Sequence, residues 1–136
     1  MKAIRKAEKE SSGEVRLYVE SFCKKPTHER ALEVFKKLKM HKTKERNAVL
    51  IYIAMEDRLF AIFGDEGIHQ KMGYSFWNKE AESLKSFLKN GETVEGICQT
   101  VHDIGQVLKD FFPPNDENGN ELSDKPVYGR WKQRIK

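Results

Sequence analysis

The stretch Ala48-Val49-Leu50-Ile51-Tyr52-Ile53-Ala54 is apolar at every position, and only Met55-Glu56-Asp57-Arg58 separates it from a second apolar run, Leu59–Phe63. A strand that alternates apolar and polar residues needs cover on one face; one that never alternates needs it on both. A link this short can join only antiparallel neighbours. The chain must therefore build a sheet around Ala48–Ala54, pair the next strand antiparallel to it, and lay other elements over both faces.

The flanking sequence supplies those elements. Residues 1–10 are rich in Ala, Lys and Glu and read as a helix stopped by Ser11-Ser12-Gly13. Glu14–Glu20 alternates, with Val15, Leu17 and Val19 on one side and Arg16, Tyr18 and Glu20 on the other, the pattern of a half-buried strand. Pro26-Thr27 opens a second helix with Thr27 as its expected N-cap and Ala31, Val34, Phe35 and Leu38 as its apolar face. A helix between the first two strands favours a right-handed parallel crossover. Two further helical stripes follow, Trp77-Ala81-Leu84-Leu88 and Val94 through Phe111, separated by Asn90-Gly91 and ended by Pro113-Pro114. The expected fold is α/β, a three-layer α/β/α sandwich with a small mixed central sheet of at least three strands. One domain spans 1–112, and 113–136 is a polar tail with little regular structure.

The chain has 136 residues, 38% hydrophobic and 34% charged, which suits one soluble globular domain. Its formal charge of +4 is modest and does not demand nucleic acid. Lys36, Lys37, Lys39, Lys42, Lys44 and Arg46 cluster, but without interleaved aromatics they read as a solvated helix face, so no nucleic-acid partner is expected. No apolar run approaches the roughly 20 residues a membrane span needs. Cys23 and Cys98 stand far apart outside any metal-type spacing and read as free thiols, which makes a reducing, cytoplasmic address the default. A monomer is expected, with an unidentified protein partner left open.

Topology points to a site. If the first two strands are parallel, Gly13-Glu14 and Arg46-Asn47 lie at one end of the sheet. The third strand, running the other way, delivers Gly64-Asp65-Glu66-Gly67 to the same end. Glu14, Arg46, Asn47, Asp65 and Glu66 then converge on one rim, where carboxylates repel unless a positive charge sits among them. Arg46 could supply that charge, or a hard cation could, held by carboxylate and carbonyl oxygens. The alternative is that Arg46 makes a structural salt bridge and the glycines only form turns.

Other candidates carry less. His28, His41 and His102 read as surface residues, whereas His69 follows Gly67-Ile68 directly and Asp103 flanks the last apolar stripe. Tyr74, Phe76 and Trp77 could line a pocket or cap the core. The acidic run Asn115–Glu121 imitates a calcium loop, but counting back from Gly119 puts Pro114 at the first ligand position, so the EF-hand register fails. Trp131 among Arg130, Lys132, Arg134 and Lys136 could dock on an acidic surface.

Several strings resemble the TPM domain, formerly a domain of unknown function. They are Ala7-Glu8-Lys9-Glu10-Ser11-Ser12-Gly13-Glu14-Val15-Arg16, Glu29-Arg30-Ala31 with Val34-Phe35, and Arg46-Asn47-Ala48-Val49-Leu50-Ile51-Tyr52-Ile53. The string Phe60-Ala61-Ile62-Phe63-Gly64-Asp65-Glu66-Gly67-Ile68 adds to them, as do Phe76-Trp77 and Ile104-Gly105 with Leu108. The resemblance implies an α/β/α sandwich and calcium binding near the rim. Plant thylakoid-lumen relatives are associated with acid phosphatase activity and photosystem II repair, and animal relatives with receptors at membranes. The signal peptide and membrane anchor of many bacterial relatives have no counterpart here, and the first helix is short. A truncated N-terminus would make the protein exported or membrane-associated instead.

Two functions are therefore weighed. In the first, the domain binds calcium, or magnesium, through Glu14, Asp65 and Glu66, with Asn47 as a neutral ligand or an orienting neighbour. Calcium suits such oxygens better than zinc, since no Cys or His stands in ligand spacing. In the second, a metal-assisted phosphomonoesterase uses Arg46 to clamp phosphoryl oxygens and Asp65 as base or nucleophile. No phosphate-cradling Gly-rich loop and no Cys-x5-Arg loop supports the enzyme.

Overall fold

In the computed structural model, which describes residues 1–114, Ala48–Ala54 is the middle strand of a three-stranded sheet and is buried at every position. The elements run α1 (Lys2–Lys9), β1 (Glu14–Glu20), α2 (Thr27–Lys37), a 3-10 turn (Met40–Lys42), β2 (Ala48–Ala54), β3 (Leu59–Gly64), α3 (Glu66–Lys89) and α4 (Thr93–Phe111). β1 pairs parallel to β2, and β3 pairs antiparallel to it on the other side. Among the described residues no fourth strand joins. β3 is an edge strand and is only partly buried, unlike the fully covered run that its composition resembles.

Alternation divides the sheet between two cores. Val15, Leu17, Val19, Val49, Ile51 and Ile53 pack with Ile4, Ile68, Leu84, Ile97, Val101, Ile104 and Leu108 from α1, α3 and α4. On the opposite face Tyr18, Leu50, Tyr52 and Ala54 meet Ala31, Val34 and Phe35 of α2 and Met40 of the 3-10 turn. These are the three layers the sequence implies. The buried Glu8 of α1 ties helix to sheet, its Oε2 accepting from the Val15 backbone N–H at 3.0 Å.

Two local expectations are corrected. Thr27 is the first helical residue of α2, not its cap; Pro26 holds that place in extended conformation and no side chain caps the helix. A ring-locked φ before a helix makes the preceding turn without a hydroxyl. Second, the chain after Asp65 is not merely a glycine turn: α3 begins at Glu66 and is broken at Gly73, which has φ +74°. Only Pro113 and Pro114 of the polar tail are described; the acidic run 115–121 and Trp131 lie outside the described residues. Among the described residues no helix is long and apolar enough to cross a membrane.

Candidate functional site

The strand register brings the predicted rim together. Glu14 lies beside Ala48 and Val49 beside Gly64, so the start of β1, the start of β2 and the end of β3 share one edge. The backbone there is tightly packed. Arg46 takes a left-handed φ of +51°, and its carbonyl accepts from the N–H groups of Gly67 at 2.8 Å and Ile68 at 3.3 Å. Any Cβ on Gly67 would stand 2.0 Å from the Glu45 carbonyl oxygen and 2.6 Å from that of Arg46. Glycine is what lets α3 start against this loop. The Asp65 N–H donates to the Ala48 carbonyl at 3.0 Å, and the Ser12 N–H donates to that of Phe112 at 2.8 Å, which fastens the end of α4 to the same corner.

The polar side chains sort into three groups. In the first, Arg46 grips Asp65 with two hydrogen bonds, Nε to Oδ2 at 2.6 Å and Nη2 to Oδ1 at 2.8 Å, and its Nη1 lies 3.1 Å from Glu66 Oε1. These carboxylates raise the guanidinium's affinity for its proton, Asp65 most of all. Asp65 Oδ1 also accepts from the Glu66 N–H at 2.8 Å and caps α3. In the second group, Glu14 Oε2 takes a 2.5 Å hydrogen bond from Arg16 Nε on the α2 face of β1. Burial pushes the Glu14 carboxyl above the ordinary carboxylate range, and Arg16 offsets only part of that. Its Oε1 is buried without a donor.

The third group contains two residues that the sequence reading did not select. The Asn47 amide donates to Ser12 Oγ at 3.1 Å and to Glu45 Oε2 at 3.4 Å, while Ser12 Oγ donates to that same carboxylate at 2.5 Å. Asn47 is 1% exposed, and its Oδ1 has no donor. Glu45 adjoins Arg46 and Ser12 lies two residues before Glu14, and topology alone could have drawn them in.

All five predicted residues thus reach one rim, but not one point. Among the described residues no three of His, Cys, Asp and Glu gather as a metal-holding group. His69 sits one turn into α3, where its Nδ1 accepts from Trp77 Nε1 at 3.1 Å and its ring meets Tyr74 edge-on. Trp77 lies over Gly64, whose Cβ, if present, would fall 2.4 Å from the indole. Phe76 and Trp77 therefore pack on the core, as the capping reading expects, while Tyr74 projects into solvent. Asp103 does not reach the rim; it faces Glu80 between α3 and α4. Cys23 and Cys98 are both free.

A family model for the TPM domain matches residues 1–107. The chain belongs to the TPM domain family. Among solved structures it resembles the NMR structure of the BA42 protein from the psychrophilic bacterium Bizionia argentinensis. The two are 36% identical with a TM-score of 0.82, over 90% of this chain and 85% of that one. No curated protein matches. Within this TPM domain three of the segments carrying the resemblance, around Gly13-Glu14, Arg46-Asn47 and Gly64–Gly67, meet at the rim.

Proposed function

We propose that this TPM domain binds a hard divalent cation at the rim, calcium in preference to magnesium, and that binding is its activity without turnover. The observation that carries the reading is the pair of buried side-chain oxygens, Glu14 Oε1 and Asn47 Oδ1, which find no donor at the edge where Asp65 and Glu66 also stand. A buried acceptor without a partner is costly, and a cation is one way to satisfy it. Every group on offer is an oxygen, which suits calcium chemistry. Glu14, Asp65 and Glu66 are the charged ligands of this proposal and Asn47 the neutral one.

Arg46 holds Asp65 and Glu66 in the ion-free arrangement, so the ion must compete with the guanidinium for them. The same engagement weighs against the phosphomonoesterase, in which Arg46 would have to be free to clamp phosphoryl oxygens.

The test is a titration of labelled protein with calcium and then magnesium, following backbone amide shifts, on wild type, Asp65→Asn and Arg46→Gln. Saturable shifts at Gly13–Glu14, Asn47 and Gly64–Gly67 are expected, lost in Asp65→Asn and reached at lower calcium in Arg46→Gln. No shift at the rim in millimolar calcium would sink the proposal and leave Arg46 as its permanent cation. Hydrolysis of a phosphomonoester at saturating metal would replace the binding module by the enzyme.

A further inference from the structure

Away from the rim, one acidic side chain is buried where no other element needs it. Glu80 stands in the apolar stripe of α3, between Trp77 and Leu84, and is 7% exposed. Its carboxyl meets that of Asp103 on α4, and its Oε1 has no donor. Asp103 in turn accepts from Gln99 Nε2 at 2.9 Å. Asp103 is only half-buried, but two carboxylates in contact repel when both are charged, and the buried Glu80 has the least water to screen that repulsion. One proton between them converts repulsion into a hydrogen bond.

The surrounding charges leave this contact to the proton. β3, which α3 packs against, has no ionisable side chain, and the neighbours of Glu80 on its own helix face are Phe76, Trp77, Ser83 and Leu84. From α4 the facing group is Asp103. α1 packs the other flank of α4, where Lys6 and Glu10 stand near His102. Lys79 and Glu82 on α3 are exposed.

α3 breaks at Gly73, where an added Cβ would meet nothing within 4 Å; across the break Trp77 donates to His69 and the Tyr74 ring packs against it. The turn before it carries Asp65 and Glu66; the helix after it carries Glu80. That later segment has a second hold on α4, because Gly96 lets Leu84 and Phe87 approach its backbone.

We propose that Glu80 and Asp103 form a proton-binding clasp: with one proton bound, residues 74–89 are held on α4, and release of that proton to solvent loosens the contact. Protonated Glu80 donates its O–H to the Asp103 carboxylate; deprotonation leaves two anions face to face and no donor between them. Burial first, and then Asp103, push the Glu80 carboxyl up to about 8. The folded state therefore retains a proton that the unfolded chain has released. Stability from this pair is full below the ordinary carboxylate range and is lost as pH rises to about 8. The clasp does not depend on metal binding at the rim.

The experiment has two arms. The side-chain carboxyl carbons of the wild-type protein are titrated by NMR, and unfolding is measured from pH 5 to 9 for wild type, Glu80→Gln and Asp103→Asn. Gln keeps the shape of the protonated acid and can still donate. Glu80 is expected to titrate far above the other carboxyls and to fall toward them in Asp103→Asn. Wild type is expected to lose up to roughly tenfold in folding equilibrium per pH unit that Glu80→Gln does not lose. Faster amide exchange in 74–89 at pH 9 than intrinsic chemistry explains should appear in wild type and not in Glu80→Gln. An ordinary Glu80 midpoint, or equal pH slopes in the two proteins, overturns the clasp.

Discussion

The two ends of the sheet are built from the same residue types and finish differently. At the far end Arg30 grips Glu20 through Nε and Nη2, both at 2.9 Å, and reaches Glu33 Oε1 at 2.6 Å. Tyr52 donates its hydroxyl to Glu20, Lys25 bonds Glu33 at 2.5 Å, and the Tyr18 ring lies 5.7 Å under the guanidinium. Both oxygens of Glu20 have donors. At the rim Arg46 makes a comparable fork to Asp65, yet Glu14 Oε1 and Asn47 Oδ1 are buried without one. An arginine between carboxylates is therefore no mark of a site. What separates the ends is whether every buried acceptor is answered: among the described residues the far end leaves none without a donor, and the rim leaves two.

That contrast can be broken in several places. The largest effect is expected from Gly67→Ala, whose Cβ would collide with the Glu45 carbonyl; it should cost ~3 kcal/mol in denaturant unfolding and blunt any rim response to calcium. Glu20→Gln puts an amide N–H opposite Arg30 and should cost about 2 kcal/mol while leaving calcium shifts at the rim intact. If the rim takes calcium, free ion at tenfold its dissociation constant should add about 1.4 kcal/mol to wild type and nothing to Asp65→Asn, read as a shifted thermal midpoint. Tyr52→Phe should cost about 1 kcal/mol, insensitive to calcium, for one lost hydroxyl bond at the far end.

The smallest effect concerns pH. Glu14 is raised by burial, so its folded form keeps a proton the unfolded chain gives up, and its contribution fades as pH climbs past the ordinary carboxylate range. Glu14→Gln should flatten that part of the stability profile slightly; an unchanged profile would mean that Arg16 fully compensates the burial.

Much of the frame was legible because periodicity and link length leave few options. The uniform run Ala48–Ala54 specified a covered central strand, the four-residue link forced β3 antiparallel, and alternation in Glu14–Glu20 assigned its faces. The meeting of Gly13-Glu14, Arg46-Asn47 and Gly64–Gly67 followed from that topology. Which side chain takes which partner did not follow. Arg46 turns to Asp65 through a left-handed backbone that a non-glycine residue rarely adopts, and no pattern announces it. The start of α3 at Glu66 was hidden because glycines on both sides of it read as turn residues. Glu80 did leave a trace, as a charge inside the stripe of Trp77 and Leu84, but its meaning needed Asp103 across the interface.

The indole that lies over Gly64 also sets the chemistry of its neighbour. Because Trp77 donates to Nδ1 of His69, the neutral ring must carry its hydrogen on Nε2. In that tautomer neither nitrogen has a lone pair free for a metal. One is taken by tryptophan and the other bears a proton. The His69 imidazole is thereby withheld from zinc and copper, whose selection depends on nitrogen.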